Sequence, residues 1–187
     1  MKKSLVAALA VLSMSAFAGT SFSLIEGVQK SQNTGAVSHQ SLVNLKTDLT
    51  ESFAVDYLAI LKSDQTNAIT NRQEAGLSYS QKVVGPFSVY ARGSLGLKQV
   101  SGSTSLPYYT VEPGATVALS DKVQAKVGYF YRDATQVGKS DMLRQTRYSV
   151  SYSLTAKDKV SVAYFHDLKS SDGKLSNAPY IGYTRSF

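Results

Sequence analysis

Apolar and polar residues alternate along this chain in stretches of about ten residues, the period-two pattern a β-strand makes by pointing successive side chains to opposite faces. Phe53, Val55, Tyr57, Ala59 and Leu61 form one apolar row. Phe87, Val89, Ala91, Gly93, Leu95 and Leu97 form a second, Val123, Ala125, Val127, Tyr129 and Tyr131 a third, and Thr146, Tyr148, Val150, Tyr152 and Leu154 a fourth. The interleaved positions are polar and often charged, as in Arg92-Ser94-Gly96-Lys98 or Arg147-Ser149-Ser151-Ser153. The alternation predicts strands over 20–30, 40–50, 53–62, 70–82, 86–98, 107–119, 122–132, 141–154, 159–168 and 178–187. That is about ten strands, with eight to twelve as the bracket, in one domain.

The connections alternate as well. Glu51-Ser52, Val83-Val84-Gly85, Ser120-Asp121 and Thr155-Ala156-Lys157-Asp158 are tight, whereas 31–39, 63–69, 99–106, 133–140 and 169–177 are longer and rich in Ser, Thr, Asn, Gln, Gly and Asp. Short turns at one end and longer loops at the other mark an all-β, up-and-down antiparallel transmembrane β-barrel. A soluble sandwich or lipocalin-like barrel also alternates. Its apolar rows would favour Ile, Leu, Val and Phe; here Tyr is the commonest aromatic on the apolar face. Tyr79, Tyr109, Tyr131, Tyr152 and Tyr183 lie near strand ends, where interfacial girdles form. The strands also match the roughly 9–11 tilted residues that cross a bilayer.

Turning the apolar rows to lipid sorts the charges. Lys46, Asp48, Asp56, Lys62, Arg72, Glu74, Arg92, Lys98, Glu112, Lys126, Arg132, Arg147 and Asp167 all fall on the lumen side. Arg185 is charged on the lipid side, joined by Glu26 if the first strand turns Phe22, Leu24 and Val28 outward. Arg or Lys at mid-bilayer depth costs roughly 2–4 kcal/mol, so this partition fixes the register.

Residues 1–18 read as a secretory signal peptide: Lys2 and Lys3, the apolar run Leu5–Leu12, then Ala16-Phe17-Ala18 before the expected cut. Residues 19–187 are then the single barrel domain. The ending Ile181-Gly182-Tyr183-Thr184-Arg185-Ser186-Phe187 resembles the closing strand of bacterial outer-membrane β-barrels, a class that includes small porin-like barrels. Arg185 departs from that pattern, which has an apolar or aromatic residue at this place. The resemblance implies Sec-type export and residence in the outer membrane of a Gram-negative bacterium. It also implies a barrel-assembly machinery that reads Tyr183 and Phe187, and contact with outer-membrane lipid and lipopolysaccharide.

The chain has no cysteine and only two histidines, His39 and His166, which leaves no thiol chemistry and no multi-histidine metal centre. No cofactor is expected. A net charge of +7 is spread over alternate strand positions without stacking aromatics on an exposed face, so nucleic acid is not an expected partner. Catalysis would need His166 to work with Asp167, Ser170 or Ser171. Neighbouring strand residues face opposite sides, so His166 and Asp167 should diverge, and neither an enzyme nor a catalytic residue is expected. The lumen instead points to passage. Arg72, Glu74, Arg92, Lys98, Glu112, Lys126, Arg132 and Arg147 are the expected solute-contacting residues of a narrow passive pore for small solutes, mildly favouring anions. Small interior residues such as Gly76, Gly96, Gly114, Gly128 and Gly182 would leave it room. The alternative is a non-conducting structural or recognition barrel, plugged by pairs such as Arg92 with Glu112, whose outer loops do the work. A monomer is expected in either case.

Overall fold

The structure, a computed structural model, describes residues 19–64, 68–101 and 103–187. The signal-peptide reading of 1–18 lies outside the described residues. Ten strands follow one another: β1 Thr20–Ser31, β2 Val37–Asp48, β3 Phe53–Asp64, β4 Ile69–Val84, β5 Phe87–Val100, β6 Leu106–Ala118, β7 Val123–Ala134, β8 Leu143–Ser153, β9 Asp158–Ser170 and β10 Ser176–Ser186. Every strand pairs antiparallel with its neighbours in sequence, and β1 pairs with β10 to close the barrel. Closure leaves no unpaired edge, which a sheet surrounded by hydrocarbon requires.

The connections on one side are 49–52, 85–86, 119–122 and 154–157. Gly85, at φ 54°, supplies the left-handed residue of the two-residue turn. The start of β1 and the end of β10 meet on this side, where the Phe187 amide donates to the Thr20 carbonyl at 2.9 Å. The loop side is more compact than the sequence pattern predicts, with connections over 32–36, 65–68, 101–105, 135–142 and 171–175. The strands run on into residues too polar to show alternation, because a backbone ladder does not depend on which side chains it carries.

The two faces are inverted relative to a water-soluble protein. Leu95 and Ile181 are 68% and 65% exposed on the outside, while the inward carboxylates Glu74 and Asp167 are each 3% exposed. The ambiguous β1 turns Leu24, Glu26 and Val28 outward, leaving Ile25 and Gly27 inside. Ile25 there packs against an apolar wall of Leu42, Ile60, Ala178 and Tyr180, joined by Leu58, Ala163 and Phe165. Arg185 is outward as read from the sequence. Its Nη1 lies 3.3 Å from Asp158, which also accepts a hydrogen bond from the Tyr183 hydroxyl at 2.5 Å. Arg185 is therefore held by a partner at the turn-side rim.

Candidate functional site

All eight lumen residues expected from the sequence point inward, and the barrel gathers seven of them into three ionic networks. The first spans β3 to β6. Arg92 donates to Asp56 through Nη2 at 2.6 Å and through Nε at 3.0 and 3.1 Å, and to Glu74 through Nη1 at 2.9 Å. Glu74 also accepts from Ser94 Oγ and from the Tyr108 hydroxyl, both at 3.0 Å. Such charge-assisted, partly bidentate bonds are the strong class of protein hydrogen bond.

The expected pairing of Arg92 with Glu112 does not form, although register sets them directly opposite. Arg92 instead crosses the bare backbone of Gly76 towards two carboxylates on the other side. A Cβ at Gly76 would sit 2.7 Å from Asp56 Oδ1 and 2.9 Å from Arg92 Nη2. Glu112 belongs to the second network, where it accepts from Arg147 Nη1 at 2.7 Å and the Tyr90 hydroxyl at 3.0 Å, with Lys126 Nζ at 3.4 Å. The Arg147 guanidinium stacks 3.6 Å from the Phe130 ring centre and 4.6 Å from that of Phe165. From Arg147 the chain of bonds continues through Gln145 at 2.7 Å to Asp167 at 2.6 Å, and on to the Ser176 amide and hydroxyl.

In the third network Lys98 and Arg132 share Asp141, at 2.5 and 2.7 Å. Asp141 lies in the connection between β7 and β8 and is 5% exposed. The sequence reading did not single it out, yet within the predicted segment 141–154 it has the same parity as Arg147, the signal that finds it. Arg72 is the eighth residue and stands apart. It shares a cross-strand row with Ile60 and Lys98, forms no ion pair among the described residues, and its Nε is buried without a partner. Lys62, also inward and free of an ion pair among the described residues, feels the like charges of Arg72 and Arg132 and the opposite charges of Asp167 and Asp172.

The interior glycines do not leave open room, as the sequence reading expected. Gly182 faces the small Ser161 hydroxyl and Ile25, while the others are filled by a large side chain lying against the wall. Tyr90 covers Gly114 and Gly128, Tyr108 covers Gly96, Tyr180 covers Gly27 and the Arg92 guanidinium covers Gly76. Pressed against bare backbone, these groups reach less far towards the axis than they would over an alanine. Towards the loop side Tyr108 and Phe130 are packed into the interior, 1% and 3% exposed. Towards the turn side the side chains of Lys46, Asp48 and Lys126 are well exposed.

His166 and Asp167 do diverge. His166 Nδ1 lies 2.7 Å from Asn177 Oδ1 on the outer face, while Asp167 is buried inside. Among the described residues no three His, Asp or Glu side chains converge as a metal site.

No family model and no curated protein matches the chain in sequence. Solved structures match it in shape. An outer membrane channel from Pseudomonas putida F1 superposes with a TM-score of 0.61 at 11% identity, covering 91% of this chain and 96% of the other. The NanC porin gives 0.54 at 9% identity, covering 88% and 100%. The translocator domain of the autotransporter NalP from Neisseria meningitidis gives 0.51 at 9% identity, covering 100% and 95%. The chain thus has the fold of bacterial outer-membrane barrels. A channel, a porin and a translocator domain share that fold, so the shape alone does not assign the job.

Proposed function

We propose that this barrel is a narrow, passive, porin-like channel of a Gram-negative outer membrane, passing small solutes with a mild preference for anions. The observation that carries the reading is the state of the lumen charges. Asp56, Glu74, Glu112 and Asp141 are each bound by at least one Arg or Lys, and Asp167 is held by Gln145 and Ser176, while Arg72 and Lys62 on the loop side have no ion-pair partner among the described residues. A small anion entering there meets positive charge that no ion pair takes up and that Asp167 and Asp172 only partly offset, and a cation meets a barrier. Lys98, Arg132, Arg92, Arg147 and Lys126 line the onward route, with Glu74 and Glu112 as their counter-charges. In this reading Sec-type export delivers the chain after removal of 1–18, Tyr183 and Phe187 are what the assembly machinery reads, and lipid and lipopolysaccharide surround the wall.

A second reading, a closed barrel, draws on the burial of Tyr108, Phe130 and Asp167 in the loop-side half of the barrel. Single-channel recording of the purified protein in planar bilayers separates the two. The channel reading expects small, steady conductance that favours chloride over potassium, with the preference lost in Arg72→Ala/Lys62→Ala. A silent bilayer sinks the channel and leaves the closed barrel.

A further inference from the structure

Among the described residues the outer wall carries one charged side chain deep within its apolar band. Glu26 lies in the middle of β1 with its side chain exposed on the outward face, and it accepts a hydrogen bond from Ser41 Oγ at 2.7 Å. Register places it between Ser41 of β2 and Ile181 of β10. Leu24 and Val28 flank it along β1, Val43 and His39 flank Ser41 along β2, and Leu61 lies beyond Ser41 on β3. Tyr183 stands opposite Leu24, one outward step nearer the turn side; Lys30 and Asn177 face each other two outward steps nearer the loops. The carboxylate therefore sits in the hydrocarbon, between an aromatic level and a polar level.

We propose that this outward face of β1, β2 and β10 is where a second copy of the chain docks. Hydrocarbon offers Glu26 no partner beyond Ser41, and intramembrane ionisable groups face protein or water almost always. Apolar wall against apolar wall has no hydrophobic drive in lipid, so polar side chains act as the glue between membrane segments. A two-fold axis along the membrane normal brings the same face against itself at the same depth, and such an isologous contact requires a self-complementary patch. This one is. The carboxylate has acceptor sites that Ser41 does not use, while His39, one outward step along β2, brings a ring N–H on the same face. Each Glu26 can then keep its own Ser41 and accept from the partner's His39, inside an apolar collar of Leu24, Val28, Val43, Leu61 and Ile181. The monomer expected from the sequence gives way here, and the proposal holds whether or not the lumen conducts.

The sequence contains no cysteine, so single introduced thiols report the contact. Val28→Cys and Val43→Cys flank the patch; Val127→Cys lies on the outward face of β7, across the barrel, and is about as exposed as Val28. In liposomes under mild oxidation the first two should give covalent dimer at least tenfold more readily than the third. Adding Glu26→Leu should cut that yield severalfold; this change trades a lipid-facing charge for an apolar side chain and leaves the fold intact, which circular dichroism checks. Equal cross-linking at all three sites, or undiminished yield with Glu26→Leu, overturns the proposal.

Discussion

Arg92 holds two buried carboxylates, and removing it tests whether the lumen networks are structural. In Arg92→Ala, Asp56 and Glu74, 8% and 3% exposed in the native barrel, lose their cation. Glu74 keeps Ser94 and Tyr108; Asp56 keeps no charged donor. Breaking a buried ion pair from one side costs roughly 3–5 kcal/mol, because the orphaned charge remains in low dielectric. The Arg92 side chain is itself 16% exposed, so some water can follow, and the lower end, about 3 kcal/mol, is expected. Urea unfolding in detergent, followed by circular dichroism, measures it. Lys126→Ala serves as the comparison: its ammonium lies 3.4 Å from Glu112 with the side chain 42% exposed, and pairs of that kind contribute about 1 kcal/mol or less. Asp56→Asn/Glu74→Gln on the Arg92→Ala background should recover most of the loss, since no orphaned charge remains. A loss no larger than that of Lys126→Ala would refute the reasoning, for it would mean that water already reaches both carboxylates.

Gly27→Ala should destabilise the barrel by about 1–3 kcal/mol, the usual range for overpacking, since its Cβ would fall 2.1 Å from Tyr180 Cδ1. Tyr180→Leu should restore part of that loss in the same unfolding assay; an additive pair of losses would contradict it. The β9–β10 connection should loosen in acid. Partial burial works against the charge of Asp172, but hydrogen bonds from Ser170 and from the Lys174 amide outweigh it and hold the carboxyl below its ordinary value. A group depressed in the folded state stabilises above its unfolded pKa, about 3.9 for Asp, and that contribution fades as pH falls through the folded value. Protection of the Lys174 amide from exchange, taken relative to an unstructured amide at the same pH, should therefore fall below about pH 4 in the native chain, and Asp172→Asn should remove this acid step.

The fold was legible because a membrane barrel writes itself in period two. Rows such as Phe53–Leu61 and Phe87–Leu97 set both the strands and the face each presents, and the charge partition fixed the register. The strand ends were less legible. Val37–His39, Ser63–Asp64 and Gln99–Val100 pair as strand, yet apart from Val37 and Val100 their side chains are polar on both faces and carry no alternation to read. The direction of each lumen residue was equally plain, but its partner was not. Pairing across the lumen depends on which intervening positions lack a Cβ, so Arg92 passes its direct neighbour Glu112 and reaches Asp56 over Gly76.

The same glycines change what a lumen charge count means. Counting gives eight basic against five acidic residues on the predicted inward rows, and Asp141 narrows that difference. By number alone the interior is only mildly basic. Geometry sharpens it, because the carboxylates at mid-height are drawn to the wall and shared: Glu112 among Arg147, Lys126 and Tyr90, Glu74 among Arg92, Ser94 and Tyr108. A carboxylate satisfied from two or three sides offers little to a passing cation. Arg72 and Lys62 form no ion pair among the described residues, so on the loop side they are the cations left open to an anion, with Asp167 and Asp172 only partly offsetting them. Selectivity should therefore follow those two side chains, while Arg92, the most fully bonded cation of the lumen, should matter more to stability than to the sign of the ion that passes.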